Sequence, residues 1–232
     1  MSSKRTYRVL GLMFLALTLV LLPGPAKSAM WVGGELGGNF ISSSNLSVNG
    51  VTVSRDAKFQ PSVIGGVTLG YDFVNTGFAG YNWPTWMQYF SFAVDFTYNR
   101  MDVHLGNLGV NNVGASRFEG YMAAVTFLFM GHYGFFPDTD VPSGRVNPYI
   151  GVGPAILMSG LDLGSVGEGN RGATDVALVV EAGVRWVCLK NVSIDTAYRF
   201  RWAQPSYGLD GATLKVANVY SNSFLVRANY HF

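Results

Sequence analysis

The sequence predicts an all-β chain in which eight antiparallel strands close, up and down, into a transmembrane barrel behind a cleavable signal peptide. Three observations predict it: an export signal at the N-terminus, eight segments of period-two alternation, and the segregation of charge from bulk between the two strand faces. The 232 residues are 49% hydrophobic and 14% aromatic but only 13% charged, about half the charged share of a soluble domain. That composition excludes disorder. The single cysteine, Cys188, excludes a disulfide framework or a zinc ribbon.

Residues 1–28 read as the signal peptide. Lys4, Arg5 and Arg8 precede an apolar run from Val9 to Leu22, and Ala26-Lys27-Ser28 places small residues before a cut ahead of Ala29. The run is shorter than the roughly 20 residues a spanning helix needs. Cleavage removes four of the 16 basic residues and no acidic one, leaving 12 against 14. The basicity of the precursor goes with the signal, and with it any case for nucleic-acid binding.

The barrel domain is therefore expected over 29–232. Its first strands are read at Trp31 to Phe40 and Pro61 to Phe73, where glycine often stands on the polar face. Phe90, Phe92, Val94, Phe96 and Tyr98 then alternate with Ser91, Ala93, Asp95, Thr97 and Asn99, a period that means extended chain with two different faces. Strands follow at Phe118 to Phe129, Tyr149 to Met158 and Val176 to Trp186. The clearest alternation runs from Val192 to Trp202, and the last strand from Phe224 to Phe232. Asn49-Gly50 and Asp210-Gly211 are dipeptides that tight hairpins prefer, so neighbours in sequence are expected to be neighbours in space. The outer connections are read as Gly-, Asn- and Ser-rich loops over 41–59, 102–117, 159–174 and 203–218, and the longer inner ones over 75–88 and 131–146.

Charge decides which face looks inward. Glu35, Asp95, Glu181, Arg185, Asp195, Arg199, Arg201 and Arg227 share the face of the small residues, opposite a wall of Phe, Tyr, Trp, Val and Leu. Bulky apolar groups outward and ionic ones inward suit lipid outside and a polar interior. Closure is required, because an open edge in hydrocarbon leaves backbone groups without partners. Aromatic residues fall into two expected girdles: Phe73, Phe90, Trp186, Tyr230 and Phe232 low, and Phe40, Tyr98, Tyr121, Phe200 and Trp202 high.

Asn147-Pro148-Tyr149-Ile150-Gly151-Val152-Gly153, then Ala182-Gly183-Val184, a short turn and Val192 to Arg199, and the terminal Tyr230-His231-Phe232 together resemble the small outer-membrane β-barrels of the opacity and OmpA-like type. The resemblance covers nearly all of the mature chain. It implies an outer-membrane location in a Gram-negative-type cell, contact with membrane lipid and lipopolysaccharide, and recognition of the aromatic terminus at Phe232 by the barrel assembly machinery. A monomer is expected. The sequence runs to the last strand, so the peptidoglycan-binding domain of some relatives is not expected. The inner connections are longer than the family's usual turns and carry Trp83, Trp86, Phe135 and Phe136, which places them along the inner interface.

Eight strands leave an interior that side chains can fill, so a general diffusion pore is not expected. Four acids and four arginines inside would nearly cancel, and Glu35 with Arg227 and Arg185 with Asp195 are expected to pair, since an unpaired charge in a dry interior is costly. Two uses of that interior stay open, a structural plug with function in the outer loops and a narrow path for ions or small solutes. Catalysis of the lipid A acyl-hydrolase kind would need a nucleophile beside a base. His132 and His231 lie at the wrong end for it, and only His104, near Asp102, with Ser42 to Ser44 or Ser159, stands near the outer rim. No enzyme is expected. Neither a metal nor another cofactor is expected, because no two histidines are close and Asp138 with Asp140 is too sparse for a calcium loop.

Overall fold

The computed structural model describes residues 29–74, 81–105, 116–162, 170–209 and 212–232. The expected signal peptide, residues 1–28, and Asp210-Gly211 lie outside these residues. Eight strands form one closed antiparallel barrel: β1 (Met30–Ile41), β4 (Ser62–Asp72), β5 (Phe90–Arg100), β8 (Gly120–His132), β9 (Val146–Asp162), β10 (Asn170–Leu189), β11 (Val192–Ala203) and β14 (Val219–His231). Each pairs with its neighbours in sequence, and β1 closes on β14 with Glu35 opposite Arg227. The termini share one end, called lower here.

The upper connections are corrected by the structure. Six further strands, β2 (Ser44–Val48), β3 (Val51–Phe59), β6 (Val103–Leu105), β7 (Ser116–Phe118), β12 (Ser206–Leu209) and β13 (Ala212–Ala217), lie where loops are expected, apart from Phe118 at the end of β7. They form one sheet in the order β12-β13-β2-β3-β6-β7. That order repeats the barrel order β11-β14-β1-β4-β5-β8 beneath it, so six wall strands continue upward after breaks of one or two residues. The remaining two, β9 and β10, run on unbroken for 17 and 20 residues, and Ser159 belongs to strand rather than loop.

The reason lies in the hydropathy. Along β11 the inward residues Arg199 and Arg201 give way to Ala203 and Tyr207, while outward Phe200 and Trp202 give way to Gln204 and Ser206. The same inversion follows Phe40 on β1, where Ser42, Ser43 and Asn45 are exposed and Ile41 and Leu46 buried. Polar outside and apolar inside is the ordinary amphipathicity of a sheet in water. The extension thus carries the buried core of the barrel upward through Val103, Phe118, Tyr207, Leu214 and Val216. Polarity that reverses at one height marks a change in what the outer face of the wall is built to meet, apolar below and polar above. The Asn49-Gly50 turn, with φ of 49° and 82°, joins β2 to β3 as a two-residue hairpin in this extension.

At the lower end the β10–β11 connection is the two-residue turn Lys190-Asn191. The β8–β9 connection is held by an isolated bridge between Phe135 and Val146 and by Asp138, whose carboxylate accepts from the Val141 amide at 2.8 Å and pairs with Arg145. Those contacts, the backbone one first, hold its carboxyl below the usual carboxylate range. A short 3-10 helix, Thr85–Tyr89, leads into β5.

Candidate functional site

The interior of the barrel carries the charged residues, because period-two strands with small partners on the same face leave space only inward. All eight sequence-predicted lumenal residues are buried. Arg199, at the centre of β11, meets Glu181 at 2.5 Å, Asp95, and Glu35 at 3.6 Å. Arg227 meets Glu35 at 2.6 Å, Glu181 at 3.3 Å and Asp195 at 3.5 Å. Tyr149 adds a hydrogen bond to Glu181 at 3.0 Å. Below them Arg185 lies 3.3 Å from Asp195 and 3.4 Å from Asp72. Three arginines and five carboxylates from β1, β4, β5, β10, β11 and β14 therefore form one lattice across the lumen.

Two members differ from the expected pairing. Asp72, read only as a strand end, belongs to the lattice and accepts from the Trp31 indole at 3.1 Å and the Ser91 hydroxyl at 2.8 Å. Arg201 is 2% exposed, yet no carboxylate among the described residues lies at ion-pair distance from it. Its guanidinium donates to the Thr97 hydroxyl at 3.2 Å and rests on the Met122 sulfur at 3.6 Å. The expectation that every lumenal charge is paired thus fails at Arg201, which sits where the polar interior meets the apolar one. The signal for Asp72 and Trp31 was present in the parity, since both share the face of inward neighbours. Trp31 was masked by its aromatic type, which suggests an outward girdle.

Trp31 is fully enclosed at the lower end of the lumen, with the Arg185 guanidinium 4.5 Å above its ring. It fits because Gly70 stands opposite: a Cβ there would overlap the ring. Below Trp31 a cavity of about 760 Å³ opens toward the lower end, lined in part by Asp72, His132, Arg185 and His231. His132 is the last residue of β8 rather than part of a connection, and its Nε2 is enclosed without a partner. His231 lies 3.0 Å from the Ser193 hydroxyl. Above the lattice, Ile64, Met122, Leu157 and Val179 fill the lumen with 0–1% exposure.

Eight of the ten girdle residues stand on outward strand positions, while Phe73 and Phe232 at the lower end also line the cavity there. Phe40, Tyr98, Tyr121, Trp186, Trp202 and Tyr230 are exposed, and Phe73, Phe90, Phe200 and Phe232 half-exposed. Tyr98 stacks on Tyr121 and Phe200 on Tyr220 in the upper set, with centroids 6.1 and 5.9 Å apart. The Ser159 hydroxyl is buried and accepts from Tyr207 at 2.8 Å, the Ser44 hydroxyl donates to the Ala217 carbonyl, and the His104 side chain lies outside the described residues. Among the described residues no cluster of metal-ligating side chains occurs. Cys188 is a free thiol near the end of β10.

No protein-family model matches the chain, and no curated protein matches it by sequence. Solved structures do. Neisserial surface protein A is similar at 17% identity and a TM-score of 0.54, covering 88% of this chain and 97% of its own. The outer membrane protein OprG from Pseudomonas aeruginosa is similar at 12% identity and a TM-score of 0.61, with 89% and 98% covered. The fold of this chain is that of the small eight-stranded outer-membrane β-barrels.

Proposed function

We propose that the chain is an outer-membrane barrel with a sealed lumen that works through its outer extension, as a structural or surface-interaction protein rather than as a channel or enzyme. On this reading residues 1–28 direct export and are removed, Phe232 presents the aromatic terminus to the barrel assembly machinery, and the monomer stands in outer-membrane lipid and lipopolysaccharide. The two aromatic girdles mark the membrane boundaries. The observation that carries the reading is the double filling of the lumen: an ion-pair lattice below and the packed apolar side chains of Ile64, Met122, Leu157 and Val179 above, beneath a wall that continues beyond the upper girdle with its polar face to water. An ion crossing would have to break charge-assisted hydrogen bonds and then pass the packed side chains of Ile64, Met122, Leu157 and Val179 beside the buried Arg201. The work left to the molecule lies on the outer surface, where the extension gives binding residues a rigid support.

Planar bilayers holding refolded protein test the seal. Neither the parent chain nor Arg227→Ala is expected to give single-channel steps, because the apolar layer stays intact in both. Steps in the parent chain would restore the narrow-pore reading. A protease site inserted between Asn49 and Gly50 is expected to be cut in intact cells, and protection there would refute the outward orientation of the extension.

A further inference from the structure

The lower end of the barrel is lopsided. The β4–β5 and β8–β9 connections stand side by side, because β4, β5, β8 and β9 are consecutive in the wall. They expose Tyr81, Trp86, Tyr89, Tyr133, Phe135 and Phe136, the last to 74%. The segments 81–89 and 133–136 contain no charged residue. The opposite half of the barrel ends in the Lys190-Asn191 turn and the chain termini. Exposed aromatic groups gathered in this way mark a contact surface rather than scattered surface residues.

Three features say what that surface meets. First, its rings continue the outer wall without a gap. Phe129 of β8 touches Phe73 and Phe90, Phe73 leads through Trp83 to Tyr81, and Phe90 leads to Trp86, with centroids 4.9 to 6.4 Å apart. Tyr89 stacks on Tyr133, which leads to Phe135. Second, Trp and Tyr predominate, the types whose rings suit a boundary between hydrocarbon and water. Third, Phe136 holds a φ of 56°, a left-handed backbone that is rare for a bulky side chain and is retained where neighbours enforce it. The bridge at Phe135 and the charged turn closed by the Asp138–Arg145 pair enforce it.

We infer that these two connections form an aromatic foot that inserts into the phospholipid interface of the inner leaflet on one side of the barrel only. The surface is a lipid contact, and it extends the apolar wall downward beneath β4, β5, β8 and β9. It rests on the reading of the barrel as membrane-spanning.

Nitroxide labelling of the full chain in a Cys188→Ser background, refolded into phosphatidylcholine–phosphatidylglycerol vesicles, tests it. Labels at Trp86→Cys and Phe136→Cys are compared with Val226→Cys on the wall and Lys190→Cys in the turn, after a heat-modifiability gel has confirmed folding of each. Collision with oxygen relative to a water-soluble nickel chelate is expected to be severalfold higher at positions 86 and 136 than at 190, and highest at 226. Nickel access at 86 and 136 equal to that at 190 would overturn the foot. Protection from both reagents would overturn it in favour of a contact with a second copy. A label at 226 open to nickel would instead overturn the membrane-spanning reading.

Discussion

Arg199→Ala is expected to lower the unfolding midpoint in urea far more than any substitution at the girdles. Arg199 is the one group that touches Glu35, Asp95 and Glu181 together. Its removal leaves three carboxylates facing each other in a dry space, with Arg227 reaching Glu35 and Glu181 but having no ion pair with Asp95. Breaking a buried pair on one side costs about 3–5 kcal/mol, because the orphaned charge must be protonated or rehydrated. Against a total stability on the order of 5–15 kcal/mol, that is a large share. The check is the urea midpoint in vesicles, read as loss of the heat-modifiable band. Adding Asp95→Asn and Glu181→Gln to the same chain is expected to restore most of the midpoint, since the repulsion goes with the charges. Arg201→Met supplies the contrast. No carboxylate is orphaned by it, and a flexible thioether replaces a guanidinium already resting on Met122, with only the hydrogen bond to Thr97 lost, so its effect is expected to stay below about 1.5 kcal/mol. Equal losses at 199 and 201 would mean that lumenal volume, not the ion-pair lattice, stabilises the barrel.

The contrast between these two arginines also measures what the sequence could convey. Period two and the shared face of Glu35, Asp95, Glu181 and the arginines suffice to predict the closed barrel and to orient it, because lipid outside imposes one rule on every strand. Register follows from the same rule near the ends: Glu35 stands opposite Arg227, and Arg185 opposite Asp195. Partners several strands apart are not legible this way. Asp72 reaches Arg185 across the lumen at a sequence separation of 113, a distance set by shear and side-chain length rather than by any local pattern. The upper extension was obscured for another reason. Its strands are short, broken by Ser42-Ser43, Asn218 and Gln204-Pro205, and of reversed parity, so a reading tuned to lipid outside took them for loops. Leu214 and Val216, alternating with Thr213 and Lys215, carried the signal.

Gly70→Leu is expected to have the second large effect, and it tests the lower end of the lumen. The added side chain would occupy the space of the Trp31 indole, which can give way only by losing its contacts: Asp72 holds its Nε1 at 3.1 Å and the Arg185 guanidinium covers its face. Overpacking of a tight interior costs about 1–3 kcal/mol on its own, and a displaced Trp31 also takes a donor from Asp72 and cover from Arg185. Two readouts should move together, a lower urea midpoint and a red-shifted component of tryptophan emission as Trp31 is driven toward the 760 Å³ cavity below it. Gly34→Ala is the matching control on the neighbouring strand, because a Cβ at Gly34 meets nothing within 4 Å. There the substitution removes only backbone freedom, so a gain of a few tenths of a kcal/mol is expected. Should Gly70→Leu fold with unchanged emission, the indole does not seat against Gly70, and the lower seal depends on the arginines alone.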